Sequence, residues 1–496
     1  MTGRPRRSIG LVTALALALL AGAYTYHYLH WNFDDAHIIF RIVRNLLSGH
    51  GWAFNVGETH NASTSVLNTV IVALAAKLFS SDVPFTAHIL ATVWLSITAM
   101  GFAWVFGRRF DHWVALAVGV GLIVTLAESS FWGLEVHLFF ALFALFVACE
   151  QLGRNSWACI GLLTLTRPDG VGLAAIRLLA EARTGIVHAW RTHRRGLLVF
   201  AVVLGPWLMF SLARFHHVFP DTLANKMWQG RSGYWGTGPV YLKALLSYGW
   251  HATPFRAIGY VLALPGVVFL ARDRSVLLYV IVFALLQQTA YVVLNVPGYH
   301  WYFATLDVAS VLAAFYAIGC IYEKVVATSP RSVPPYVAAA FYAGMLLFAG
   351  VKARVALADQ SRDPGDVSYQ STIARLKADG IPSGPIAMVE VGTFGYYLPD
   401  HAIIDMLGLA SANPEYVTGG HNDQFFSAPA STVLFHSPLW PLEHRLHDDV
   451  RFRMLYEGPM VVSDTIPMQY FVLKPRAHAT TRGNNQAADV GKQYLQ

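Results

Sequence analysis

The amino-acid sequence predicts a polytopic α-helical membrane protein of about 11–13 membrane segments, with an α/β domain at its C-terminal end outside the membrane. Three observations carry this. The chain is 55% hydrophobic and only 13% charged, against about 25% charged in a soluble domain. Apolar runs near the ~20 residues needed to cross a bilayer recur along most of its 496 residues. After about residue 355 the composition turns polar, with frequent Pro and Gly. A large soluble protein is thereby excluded, and nothing in the pattern points to a nucleic-acid partner.

The candidate spans cover 9–29, 63–80, 84–107, 112–128, 134–152, 156–183 (interrupted), 196–214, 255–271, 275–296, 302–323 and 334–351. Lys and Arg collect in cytoplasmic loops. Arg4, Arg6 and Arg7 therefore place the N-terminus in the cytoplasm, ahead of an uncleaved anchor. The basic stretches 183–195, 272–274 and 324–331 join it there. Residues 221–230, 296–302 and everything after about 352 then face outward, on the side of Asp34 and Asp35. One conflict remains in this layout. If every segment spans once, Arg108 and Arg109 fall outside; if LTRPDG (165–170) is the tip of a re-entrant hairpin, Glu135 moves outside instead. Broken helices of that kind are tolerated where they line a protein cavity. The boundaries that follow are a membrane domain over 1–351, carrying an outer loop at 31–62, a domain over 352–476 and a disordered tail over 477–496.

Within 352–476, IAMVEV (386–391), AIIDML (402–407), TVLFHS (432–437) and YFVLK (470–474) are short apolar runs between turn residues, as buried strands are. STIARLKADG (371–380) has the pattern of a helix ended by Gly380. Cys149, Cys159 and Cys320 lie in apolar segments without metal-ligand spacing.

The stretch FDDAHIIFRIVRNLLSGHG (33–51) holds the chemistry. Two adjacent carboxylates, Asp34 and Asp35, stand where a span meets water. Like charges that close raise one pKa, which suits a general base or a metal ligand. His37 follows on the same turn, so a divalent cation such as Mg or Mn is a candidate cofactor of this group. Ile38, Ile39, Ile42, Val43, Leu46 and Leu47 then recur at helical spacing, predicting an amphipathic helix that lies in the membrane interface and ends at Gly49.

The order DDA, RNLLSGHGWAFNVGE, STSVLNT is similar to the first outer loop of GT-C glycosyltransferases. It resembles most the bacterial arabinofuranosyltransferases that finish mycobacterial arabinan, and their pilin-modifying relatives. The chain departs from that pattern after Glu58, where THNASTSVLN replaces a Gly-Tyr-Thr-Ser-Pro-Leu-Trp run. Further elements follow in family order: WGLEVHLFF (132–140), TRPDG (166–170), FPDTLANK (219–226), GYHWYFA (298–304) and IIDMLGLASANPE (403–415). Together they span residues 31–415.

The resemblance implies a GT-C enzyme of the bacterial cytoplasmic membrane. It would take a polyprenyl-phosphate-linked sugar as donor and act outside the cytoplasm. The sugar it implies is arabinofuranose, with mannose or aminoarabinose as alternatives, and the acceptor a polysaccharide, a lipid or a protein such as pilin. A departing lipid phosphate needs cations; Arg167, Lys226 and His300 fall in the matching segments. Asp34 is the candidate base and Asp35 its partner. Glu58, Glu135, Asp169, Asn225, Trp301, Tyr302 and Asp405 are candidates for sugar or acceptor contact. Trp301 and Tyr302 read equally as interfacial belt aromatics. A flippase of lipid-linked sugars would share the cavity and the basic residues; charged groups gathered at one face favour the enzyme.

Overall fold

A computed structural model describes residues 10–79, 82–128, 132–182, 185–218, 221–329, 333–413, 416 and 421–475. Arg4, Arg6, Arg7, Arg183, Phe219, Pro220, Arg331, Pro414, Glu415 and the tail 477–496 lie outside them. The chain forms two compact units. The first comprises residues 1–31, 64–218 and 239–361; the second comprises 32–63, 219–238 and 362–496.

The first unit is helical, and each predicted apolar run is a helix in it. In chain order these are α1 (Leu11–His27), α3 (Val66–Phe79), α4 (Val83–Gly107), α5 (His112–Ala127), α6 (Val136–Gln151), α7 (Trp157–Thr166), α8 (Val171–Ala182), α9 (Ile186–Phe215), α11 (Val240–Trp250), α12 (Pro254–Arg272), α13 (Leu278–Leu294), α14 (Ala304–Ala327) and α15 (Val333–Ala358). Among the described residues, four helical stretches, Val83–Gly107, Val187–Phe215, His300–Ala327 and Pro335–Ala358, are long and apolar enough to cross a membrane. With the shorter apolar helices they make this a membrane protein. The predicted basic loop 183–195 is helical from Ile186 onward.

Helix α5 sits at the centre of this unit, buried on nearly every side. Small residues let helices of this unit approach closely, as in membrane bundles. A Cβ on Gly101 would lie 2.9 Å from Ala144, and one on Gly121 would lie 2.9 Å from Phe315. The outer helices instead expose Leu198, Val202 and Met209 on α9, and Val261, Leu264 and Val268 on α12. Aliphatic faces of this kind suit lipid.

The predicted break at 165–170 is present. Arg167 precedes a proline and takes the extended conformation such residues favour (φ −146°, ψ 127°). A short turn over Pro168–Gly170 follows, then α8. A Cβ on Gly170 would stand 2.7 Å from the Leu163 carbonyl carbon, so only glycine lets the chain turn back this tightly.

The second unit holds α2 (Asp34–Leu47), α10 (Asp221–Arg231), α16 (Pro364–Asp379), the six-residue α17 (Gly392–Tyr397) and a five-stranded sheet. The strands are β1 (Ile386–Met388), β2 (Ile403–Asp405), β3 (Thr432–His436), β4 (Tyr456–Val462) and β5 (Met468–Leu473), in the order β2-β1-β3-β5-β4. β1 runs parallel to β2 and β3, whereas β5 runs antiparallel to β3 and β4. The four predicted strands are all present. β4 escaped the sequence reading because it is half exposed and interrupted by Gly458 and Pro459. α16 ends as predicted at Gly380, in the left-handed region at φ 77°. The face of α2 expected to meet lipid is different: Ile39, Ile42 and Val43 are enclosed by protein, and so are the polar Arg41 and Asn45.

Candidate active site

The acidic pair occupies the first turn of α2, where the helix dipole favours negative charge. Asp34 turns its carboxylate away from its own helix. Its two oxygens accept the main-chain N–H groups of Gly392 (2.9 Å) and Thr393 (2.8 Å), capping the start of α17. A Cβ on Gly392 would fall 1.8 Å from the Asp34 carbonyl oxygen, so the contact requires glycine. Burial raises the Asp34 carboxyl above its ordinary range, and the two N–H bonds oppose the rise. Asp35 is half-buried and makes no hydrogen bond among the described residues. Burial pushes its carboxyl up to about 6, the nearby Lys226 ammonium lowers it and Asp34 raises it.

Behind the pair, α2 is bolted down by polar side chains. His37 is fully buried; its Nδ1 lies 3.3 Å from the Thr393 hydroxyl and its Nε2 lies 3.9 Å from Asp366. Burial pushes the Asp366 carboxyl up to about 7. Arg41 donates to the carbonyls of Phe54 (2.7 Å), Gly395 (2.6 Å) and His401 (2.8 Å), and to Asn55 Oδ1 (3.1 Å). Asn45 donates to the carbonyls of Ala53 and Phe54. Asn55 acts as a substitute strand beside β2: it accepts from Ile403 N–H (2.9 Å) and donates to the Ile403 carbonyl (2.8 Å). His37 is thus directed at Thr393 and Asp366. Among the described residues no group of three or more His, Cys, Asp or Glu is placed to hold a metal ion.

Several residues predicted to contact sugar also hold loops in place. Glu58 accepts from Asn55 Nδ2 (2.9 Å) and from Ala412 N–H (3.0 Å). Asp405 accepts the N–H groups of Leu407, Leu409 and Ala410, each at 2.8 Å, and so shapes the loop after β2. Burial still pushes its carboxyl up to about 6. Asn225, on α10, donates to the Gly408 carbonyl in that same loop. Lys226, the next residue, is the cation acting on Asp35.

Glu390 was not singled out by the sequence. It lies between β1 and α17, is hydrogen-bonded to Asp34, and is driven well above the usual carboxyl range by burial and by the charges of Asp34 and Asp35. Its signal was VEVG (389–392), an acid two residues ahead of the glycine.

The membrane unit carries a separate polar group. Arg167 donates to Glu135 (3.1 Å), to Asp169 (3.3 and 3.4 Å) and to the Tyr291 hydroxyl (3.1 Å). Tyr291 donates in turn to Asp169 (2.6 Å), and Gln287 also bonds Asp169. The guanidinium stands 5.7 Å from the Tyr302 ring centre. Arg167, Glu135, Asp169 and Tyr302 therefore come together, with the arginine's charge met by two carboxylates. Trp301 is buried and stacks on Tyr299 at 4.7 Å, and His300 packs edge-on against Trp301. A second arginine, Arg256, was not anticipated. It lies 3.6 Å from Asp307, which also accepts from Tyr248 and Tyr260. Arg256, Tyr260 and Asp307 help line a cavity of about 220 Å³ among α5, α12 and α14.

No family model matches the chain. It is similar to the terminal β-(1→2)-arabinofuranosyltransferases of Corynebacterium glutamicum (28% identity over 276 residues) and of Mycobacterium tuberculosis (28% over 270 residues). Each match takes in 47% of this chain, but only 38% and 40% of the respective relatives' lengths. In fold the chain is similar to ArnT from Cupriavidus metallidurans, solved with undecaprenyl phosphate. The TM-score is 0.57 at 14% identity, covering 94% of this chain and 98% of that one. It is also similar to the Archaeoglobus fulgidus oligosaccharyltransferase, with TM-score 0.51 at 12% identity, covering 92% of this chain and 72% of that one. The chain thus shares the fold of these two membrane-protein structures, and both relatives named are terminal arabinofuranosyltransferases.

Proposed function

We propose that this protein is an integral-membrane glycosyltransferase that moves arabinofuranose from a polyprenyl phosphate to a hydroxyl of an acceptor outside the cytoplasmic membrane. The likeness to arabinofuranosyltransferases supports the sugar, and the likeness to a structure holding undecaprenyl phosphate supports the lipid donor. The observation that carries the chemistry is Asp35, a half-buried carboxylate with no hydrogen bond among the described residues, its carboxyl pushed up to about 6 beside Lys226.

In this reading the base is Asp35 rather than Asp34. Asp34 already spends both oxygens on α17 and serves to position the pair. Asp35 takes the proton of the acceptor hydroxyl as its oxygen bonds to the anomeric carbon. The bond from that carbon to the phosphate oxygen breaks, and its electron pair leaves with the polyprenyl phosphate. Lys226 supplies positive charge to the phosphate as it departs. The acceptor is a polysaccharide, a lipid or a protein.

The test is transfer of radiolabelled sugar from polyprenyl-phosphoryl arabinofuranose by purified protein, with Asp34→Asn and Asp35→Asn alongside. Loss of a general base costs roughly 10²–10⁴ in rate. Asp35→Asn is expected to fall by that much while remaining folded. Near-normal turnover in Asp35→Asn overturns the base assignment. Donor translocation across liposomes without transfer by the wild type overturns the enzyme reading in favour of a flippase.

A further inference from the structure

Helix α9 meets its own bundle with one face only. Trp157 Nε1–H donates to His193 Nδ1 (3.3 Å), and a Cβ on Gly196 would lie 1.9 Å from the Trp157 ring. Ala189 is buried on the same side, and a Cβ on Gly161 of α7 would come 2.8 Å from Val203. The opposite face carries Arg191, Arg195, Leu198, Val202 and Met209 at i, i+4, i+7, i+11 and i+18, one line along a helix of 3.6 residues per turn. This line is open throughout. Arg191, Arg194 and Arg195 are exposed, and Leu198, Val202 and Met209 are 66%, 65% and 66% exposed. Its character changes after Arg195. Cationic turns come before, with Val187 and Trp190 exposed beside them, and an aliphatic stretch follows. At 1.5 Å per residue it runs ~21 Å from Arg195 to Met209.

None of these three arginines has a partner among the described residues. Glu181 pairs instead with His188 (3.3 Å), and Glu150 with Arg177 (3.0 Å). We infer that this face of α9 is a binding site for a phospholipid of net negative charge, its phosphate held by Arg191, Arg194 and Arg195 and an acyl chain laid along Leu198, Val202 and Met209. A guanidinium grips a phosphate with two parallel hydrogen bonds, and basic side chains at a membrane surface draw anionic lipids. The two halves of the face select the occupant together. A soluble anion would leave the aliphatic line uncovered. A lipid of zero net charge would bring a cation of its own to three arginines. A second copy of the chain, related by a two-fold axis along the membrane normal, would set the same three cations against these. The inference stands apart from the glycosyl-transfer reading.

The test uses the full chain, reconstituted in equal parts of phosphatidylglycerol and phosphatidylcholine, released in mild detergent and weighed by native mass spectrometry. The wild type is expected to keep phosphatidylglycerol in preference to phosphatidylcholine. Arg191→Gln, Arg194→Gln and Arg195→Gln combined are expected to keep ~10-fold less of it or below, since each basic residue near an anionic surface is worth about 5-fold. The three side chains are exposed, so this variant should melt like the wild type in phosphatidylcholine alone. Arg272→Gln with Arg274→Gln, which removes charge from another basic stretch, should retain phosphatidylglycerol as the wild type does. Equal retention of the two lipids by the wild type, or equal losses in the two variants, overturns the inference. A dimer that carries no lipid and separates in the triple variant also overturns it, and gives the face to a second copy of the chain.

Discussion

Gly392 has no room for a side chain, because the Asp34 carbonyl oxygen already occupies the space where a Cβ would stand. Gly392→Ala must therefore push α17 and the start of α2 apart, and overpacking of this kind costs roughly 1–3 kcal/mol. The expected outcome is a lower melting temperature together with loss of transfer, because the Asp34 cap goes with it. A variant with wild-type melting and turnover would show that the two segments separate freely. Asp35 gives a second prediction at this scale. Its carboxyl is pushed up to about 6, and a base works ionised. Transfer should fall as pH drops through about 6, read as the acidic limb of kcat/KM; a flat profile down to pH 5 would rule Asp35 out. The acidic pair itself was legible in the sequence, because two adjacent carboxylates at a span end need a reason. Which of the two is available was not, since that depends on N–H groups some 358 residues away in the chain.

At the scale of elements, RNLLSGHGWAFNVGE is fastened to the C-terminal sheet by its polar side chains. Arg41, Asn45 and Asn55 satisfy carbonyls and N–H groups that would otherwise be buried without partners. Losing a partner inside the protein costs about 1–3 kcal/mol per group. Asn55→Ala strips Ile403 of both its side-chain partners, so it is expected to destabilise the second unit by about 2–5 kcal/mol. Limited proteolysis should then cut earlier in residues 362–475; unchanged protection would show that water replaces the amide. The broken helix at 165–170 was legible because Pro168 and Gly170 carry their meaning locally. The burial of α2 was not, because an apolar stripe is the same whether it meets lipid or protein.

For the whole molecule, the second unit concentrates carboxyls that bind protons more tightly when folded. Asp35 and Asp405 are pushed up to about 6 and Asp366 to about 7, all chiefly by burial. In the unfolded chain such groups titrate near about 3.9. Between pH 4 and 7 the folded state therefore holds more protons, and stability falls as pH rises through that window. Melting in detergent is expected at a higher temperature at pH 5 than at pH 7.5; the reverse order would mean that these groups are less buried in solution.

The sequence by itself determined the membrane helices, four of the five strands, the break at Pro168 and the presence of an acidic pair. Each is a local matter of hydropathy, turn residues and spacing, and local chemistry is written in consecutive residues. Only the tertiary structure decided what the charges do. It joined residues 32–63 to the C-terminal sheet in one unit, turned Glu58 and Asp405 into loop anchors, matched Arg167 with Glu135 and Asp169, and placed Glu390 against Asp34. A carboxylate's role is set by which donors reach it and how much water is removed, and both come from segments hundreds of residues apart.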